Sequence, residues 1–361
     1  QRPINQSDTL RQEVKTDHIL IIRLSAMGDV AMTVPIVYSL ATQYPHTHIT
    51  VLSRPFARAF FDDLAPNVGF MEASTEELHN LHGLNSLYRR LVAKHFTAVA
   101  DFHDVLRTKY LRLRFCMGRF HVAHIDKHRR GKRLLTQQEG KQRVQQPTSF
   151  QNYADVLAEL GYPIKPDFTS IYPDGKAPAA DRSERVGDKP ENQRWIGIAP
   201  FATHQGKVYP LGLMKQVVAL LTEQHPDYRI FLFGGGKTET EQLTHIAEQT
   251  SGCTVASTVV KGLRQELALM SMLDVMVSMD SANMHLASLV ATPVVSVWGA
   301  THPYAGFMGW RQSEGNAVQL DMDCRPCSIY GNKPCIHGNY PCMKQIEPET
   351  IVARIVATAE R

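Results

Sequence analysis

No stretch of this chain approaches the ~18 consecutive apolar residues that a membrane-spanning helix needs, which excludes that class. Nor do the first 17 residues hold the apolar core of a signal peptide. They are polar and charged and read as a leader outside the fold. Both absences point to a cytoplasmic protein whose contact with a membrane is at most peripheral. An excess of one charge is missing too: 39 Lys and Arg against 35 Asp and Glu leave +4, too little to name a partner. Tandem repeats and low-complexity tracts are absent, which sets repeat architectures aside. The glycine triplet Gly234-Gly235-Gly236 fits neither G-x-G-x-x-G nor G-x-x-x-x-G-K-[ST], so a dinucleotide site or a P-loop is disfavoured there. Cysteine is scarce, six residues in all. Cys116 and Cys253 stand alone and read as core thiols.

What is present is an α/β rhythm. With 361 residues, 43% hydrophobic and 20% charged, the chain is long enough for two domains. Short Ile- and Val-rich runs read as buried strands over 18–24, 48–53, 96–101, 194–199, 229–233, 275–279 and 293–298. Helical spacing falls over 30–44, 211–225, 239–249, 265–273, 282–290 and 348–360. Alternation of this kind implies parallel strands with helical crossovers. Five prolines between Tyr162 and Gln193 mark a link. The expected organisation is a leader (1–17), an N-terminal Rossmann-like domain (18–165), a Pro-rich link (166–193), a C-terminal Rossmann-like domain (194–345) and a closing helix (346–361). Ligands of open α/β sheets bind at the strands' carboxyl ends, so two such domains would share one cleft.

Three stretches of the second half carry the chemistry of a phosphate-bearing ligand. In "SMDSANMHLAS" a strand ends at Met279, Asp280 and Ser281 occupy helix-capping positions, and small Ala282 opens the helix. A helix start attracts anions through unpaired amides and its dipole, worth only about 0.3–1 kcal/mol at an exposed site, so side chains must add to it. His285, one turn on, is placed to help. In "APFATHQGKVYP" Thr203 and Lys207 offer a hydroxyl and a point charge on a loop after a strand. In "FLFGGGKTETEQ" glycines permit close backbone approach, and Glu239 or Glu241 can meet ribose hydroxyls or merely favour the helix start.

The first half contributes "RLSAMGDVAMTVP". Asp29 beside Gly28 would repel a phosphate bound at the same turn. Facing a nucleotide sugar held by the other half, it becomes a general base that takes the proton of an attacking hydroxyl, an effect typically of about 10²–10⁴-fold. Lys207 and the helix end at Ser281 would stabilise the departing pyrophosphate. The competing reading of Asp29 is a helix-capping residue. From Arg107 to Arg133 there are ten Lys or Arg and one acid, Asp126, which reads equally as an anion-attracting patch or a solvated face.

"RLSAMGDVAMTVP" and "SMDSANMHLASLVATPVVSVWGATHP" closely resemble the two signature regions of glycosyltransferase family 9, the ADP-heptose:lipopolysaccharide heptosyltransferases. "GIAPFATHQGKVYP", "FLFGGGKTETE" and the Cys-containing tail resemble further family segments, so the likeness runs from about His18 to Ala359. It implies a GT-B fold with two Rossmann-like domains facing a central cleft, and metal-independent, inverting transfer with no cofactor. By motif position Asp29 would be the base. Thr203, Lys207, Glu239, Asp280, Ser281, Ala282 and His285 would bind the donor, ADP-heptose or another nucleotide sugar. Gly28, Arg107, Arg129 and Arg130 fall on the acceptor side, toward an anionic lipopolysaccharide or lipid A core on the inner face of the inner membrane. Two departures bear on the sugar: Met32 stands where many members carry His, and Ala202-Thr203 where a hydroxyl pair is common. A nucleotide-sugar binder without catalysis is the alternative, with Asp29, Lys207 and His285 arguing against it. A nucleic-acid partner is not expected, since few aromatics interleave the basic stretch. Cys324, Cys327, Cys335 and Cys342 admit zinc, a disulfide or free thiols; no metal is assigned to the reaction.

Overall fold

The computed structural model describes residues 16–361. Most of the expected leader, residues 1–15, lies outside the described residues. Asp17 belongs to the fold: its carbonyl accepts the His48 amide at 2.9 Å, and its carboxylate accepts the Tyr162 hydroxyl at 2.6 Å.

Two all-parallel sheets form the frame. The first is built from β1 (His18–Ile22), β2 (His48–Ser53), β3 (Val68–Glu72), β4 (Ala98–Asp101) and β5 (His121–His124), in the order β3-β2-β1-β4-β5. The second holds β6 (Trp195–Ala199), β7 (Arg229–Leu232), β8 (Cys253–Val255), β9 (Val275–Met279), β10 (Val294–Val297) and β11 (Ala317–Val318), in the order β11-β10-β9-β6-β7-β8. Each order reverses beside its first strand, between β1 and β4 and between β6 and β9. Such a switch point opens a crevice at the carboxyl ends of doubly wound sheets. This is the expected pair of Rossmann-like units.

The central strands β1, β4, β6, β9 and β10 are covered on both faces and are largely apolar. Along β1, Ile19 and Ile21 enter one core while Leu20 and Ile22 enter another, as the period of two requires. The core containing Ile19 and Ile21 continues into the second half, where Trp195, Met284 and Leu286 join it. The bridge between the halves is the packing of the Met27–Gln43 helix against the Ala282–Leu289 helix. Each follows the switch point of its own sheet.

Gly28 stands where these helices cross. A Cβ there would lie 3.0 Å from Cδ2 of His285 and 3.2 Å from Cα of Ala282. Gly28→Ala is therefore expected to push the halves apart and cost about 1–3 kcal/mol, read as a lower Tm in calorimetry. An unchanged Tm would show that this contact yields freely.

The Pro-rich stretch is packed rather than loose. Phe168, Tyr172, Ala177 and Val186 are buried. The Asp167 amide donates to Ser39 Oγ (2.8 Å) and the Ile171 amide to the Leu289 carbonyl (2.9 Å), so the segment runs from one bridging helix to the other. Two further expectations are corrected. Cys116 is exposed, because the Leu106–Met117 helix turns that face to solvent; Cys253 is half-buried, with burial pushing its thiol up to about 12.

Candidate active site

A cavity of about 670 Å³ lies between the two sheets' carboxyl ends. That volume suits a ligand the size of a nucleotide sugar. Its walls come from the segments that follow β1, β6, β7 and β9. They include Gly28, Asp29 and Met32 from the first half, and Thr203, Lys207, Glu239, Asp280, Ser281, Ala282 and His285 from the second. Phe201, Phe233, Phe307 and Tyr330 add aromatic surface.

Asp29 is the third residue of its helix. One carboxylate oxygen accepts the Ala26 amide at 3.2 Å, so the residue does hold the helix start. That same oxygen lies 2.8 Å from the Arg23 guanidinium, and about a third of the side chain stays exposed to the cavity. Capping and access therefore coexist. Arg23, not singled out in the sequence, is buried at the end of β1 and also donates to the Phe102 carbonyl at 2.9 Å. A buried arginine needs an acid, and Asp29 supplies it. Arg23 fixes the direction of Asp29.

His103 sits on the same side. Its Nδ1 accepts the Leu24 amide at 3.4 Å, and burial, with Arg23 and Lys127 nearby, pushes its pKa down to about 3. Lys132 is buried 4.6 Å from the Phe307 ring centroid; burial pushes its ammonium down to about 8 against the opposing pull of Asp29.

On the opposite wall Lys207 Nζ lies 3.1 Å from Asp280 Oδ2, with the two side chains only 15% and 4% exposed. This corrects the expected capping role of Asp280: its carboxylate holds the lysine. Ser281 occupies the cap position but makes no side-chain cap, pairing instead with Ser278 Oγ at 3.2 Å. The first turn of the Ala282–Leu289 helix thus keeps uncapped amides on the cavity wall. His285 is buried, its Nδ1 without a partner among the described residues. Burial lowers its pKa to about 4, opposed by both Asp280 and Asp29. One imidazole therefore senses a carboxylate from each half. Glu239 spends one oxygen on the Gly235 amide at 2.8 Å. Thr203 is exposed at the mouth.

Arg107, Arg129 and Arg130 are exposed, and none lines the cavity. Arg129 reaches Asp104 at 3.9 Å. Arg23 pairs with Asp29 directly, and the carboxylate holds the Lys132 ammonium up against burial.

The Cys-containing tail supports the Lys207 loop. The Gly206 amide donates to the Gly331 carbonyl at 3.2 Å, and a Cβ on Gly331 would meet Cγ of Lys207 at 2.7 Å. Lys141 from the first half donates to the Cys324 and Pro326 carbonyls at 2.7 and 2.8 Å. All six cysteines are free, and among the described residues no group of three or more His, Cys, Asp or Glu is arranged to hold a metal ion.

The family model for glycosyltransferase family 9 (heptosyltransferase) matches residues 84–337. The chain belongs to that family. A lipopolysaccharide core heptosyltransferase, OpsX, of Haemophilus influenzae is 24% identical over 79% of this chain and 80% of its own length. A lipooligosaccharide heptosyltransferase 2 of Campylobacter jejuni is 25% identical over 44% of this chain, and the match spans half of that relative. Among solved structures, a family 9 glycosyltransferase from Veillonella parvula superposes with a TM-score of 0.71 at 18% identity, covering 95% of this chain and 97% of that one. The E. coli ADP-heptose lipopolysaccharide heptosyltransferase II gives 0.67 at 17% identity, covering 95% and 98%. These superpositions support the GT-B arrangement for this family 9 chain. No helix among its described residues is long and apolar enough to cross a membrane.

Proposed function

We propose that this protein transfers a sugar, heptose from ADP-heptose in the first instance, onto an anionic lipopolysaccharide core acceptor at a membrane surface. The carrying observation is that Asp29 of one half and the Lys207–Asp280 pair of the other line one cavity. The diphosphate would lie against Lys207 and the uncapped start of the Ala282–Leu289 helix, with Glu239 toward the ribose. An acceptor hydroxyl entering from the first half would give its proton to Asp29 as its oxygen bonds the anomeric carbon. The bond from that carbon to the diphosphate breaks on the opposite face, which inverts the centre and releases the nucleoside diphosphate. Lys207 and the helix amides supply the charge stabilisation for departure, so the reading calls on no cofactor.

Met32 and Ala202 on the cavity wall favour keeping a second donor in view, because each places a non-hydrogen-bonding side chain toward the ligand. Turnover with ADP-heptose and with other ADP-, UDP-, GDP- and CDP-sugars, on truncated, deacylated core saccharide, tests the proposal. The expected result is transfer from one donor class, with a melting-point rise for that nucleotide alone. Nucleotide-dependent stabilisation without transfer from any donor would favour the non-catalytic alternative.

A further inference from the structure

The Leu106–Met117 helix is apolar on two opposite sides. Thr108, Leu111 and Phe115 are buried, the latter two in the core beneath the first sheet. On the far side Leu106, Leu113 and Met117 are 84%, 57% and 72% exposed. At 3.6 residues per turn these three fall within about 40° of one another, one stripe along the whole helix. Half-buried Tyr110 lies in the same line. Arg107 and Arg114 flank the stripe on one side and Lys109 on the other, with Arg119 just past the end. Among the described residues Arg107 and Arg119 have no ion-pair partner. The neighbouring Leu81–Val92 helix is tied alongside by the Tyr110 hydroxyl on Asn85 (2.8 Å) and by Arg114 over the Tyr88 ring (4.5 Å), and it opens with Leu81, 62% exposed.

We infer that this stripe seats the protein on an anionic lipid surface, with Leu106, Leu113 and Met117 at the acyl boundary and the flanking cations among the headgroup phosphates. An interfacial helix needs this combination of apolar line and basic flanks. A second copy of the chain packed stripe to stripe would bring like charges together, whereas an anionic bilayer neutralises both flanks. Position agrees. The helix follows β4, and the intervening segment carries His103, which senses Asp29 and Arg107 alike. The stripe thus starts at the first-half rim of the cleft. That last step rests on the proposed lipid-borne acceptor, whose saccharide would rise from the bilayer beside Asp29.

Co-sedimentation of the full chain with phosphatidylethanolamine vesicles, with and without phosphatidylglycerol, tests this. Wild type should bind the anionic vesicles at least about tenfold more tightly than the neutral ones. The double variant L113E/M117E should lose at least about tenfold of that binding and keep wild-type turnover on soluble, deacylated acceptor. Arg119→Glu, a single change outside the helix, should lower binding in the same direction and serves if the double variant fails to fold. Wild type that does not sediment with anionic vesicles, variants that bind like wild type, or equally tight binding to duplex DNA would each overturn the inference. Vesicle binding that behaves as expected in a protein with no transfer activity would support the docking face and strike only the proposed reaction.

Discussion

Asp29→Asn should lower transfer by about 10²–10⁴-fold while leaving nucleotide-sugar affinity within about twofold of wild type. Asparagine keeps the shape of the side chain, and its carbonyl oxygen can still accept the Ala26 amide now bound at 3.2 Å. It cannot take a proton from an attacking hydroxyl. In transition-state terms the loss is about 2.7–5.5 kcal/mol, all of it on the chemical step. The substitution also removes the anionic partner of Arg23, which is 2.8 Å away and buried. That second effect needs its own readout, because a displaced Arg23 could disturb the site without touching the base. Arg23→Gln separates the two: it retains the carboxylate but not its anchor. It should lower turnover less than Asp29→Asn, and the residual activity should still depend on Asp29 when the two changes are combined. Single-turnover transfer with saturating donor, together with calorimetric titration of the free nucleotide, measures both quantities. Full turnover by the Asn variant would remove Asp29 from the chemistry and leave it as the helix-start residue its hydrogen bond already makes it.

The parts of this fold legible in the sequence are those where local pattern and tertiary burial agree. β2 and β9 match their apolar runs to the residue, and β1, β6, β7 and β10 to within a residue or two, because both faces of each are buried. β3, β5 and β8 were not visible. Val68–Glu72 is a half-buried edge interrupted by Gly69, His121–His124 hides within a basic stretch, and Cys253–Val255 spans three residues. The Leu106–Met117 helix was obscured for another reason: its outward leucines and methionine blur the one-sided periodicity that marks a packed helix. At the site, residues that follow strands could be read in place, since small and polar side chains at strand ends are a local signal. Arg23, Lys132, Phe307 and Tyr330 could not. For Phe307 and Tyr330 the proximity to Asp29 depends on the crossing of two helices more than 230 positions apart in the chain, and for Arg23 and Lys132 on burial within the first half; no local pattern encodes either.

The donor side makes a second prediction of comparable size, and its sign is less obvious. Lys207→Met should weaken binding of the nucleoside diphosphate by about 30–1,000-fold, and adding Asp280→Asn should restore at least about tenfold of it. In wild type the lysine ammonium pairs with the Asp280 carboxylate, 3.1 Å away and 4% exposed, and both line the cavity assigned to the diphosphate. Removing the lysine therefore does more than delete one phosphate contact. It leaves a buried, unpaired carboxylate facing an incoming anion, and two unit charges about 4 Å apart interact by about 4 kcal/mol at an effective dielectric constant near 20. Neutralising Asp280 lifts that repulsion without replacing the lost cation, so recovery should be partial. His285 offers an internal check: its pKa is held up by Asp280 and down by Lys207, so the double variant removes both influences while the single variant leaves only the first. Its imidazole resonance should accordingly titrate higher in Lys207→Met than in either the double variant or wild type. If nucleotide affinity is the same in the single and double variants, Asp280 does not face the diphosphate, and the ligand must lie on another side of Lys207.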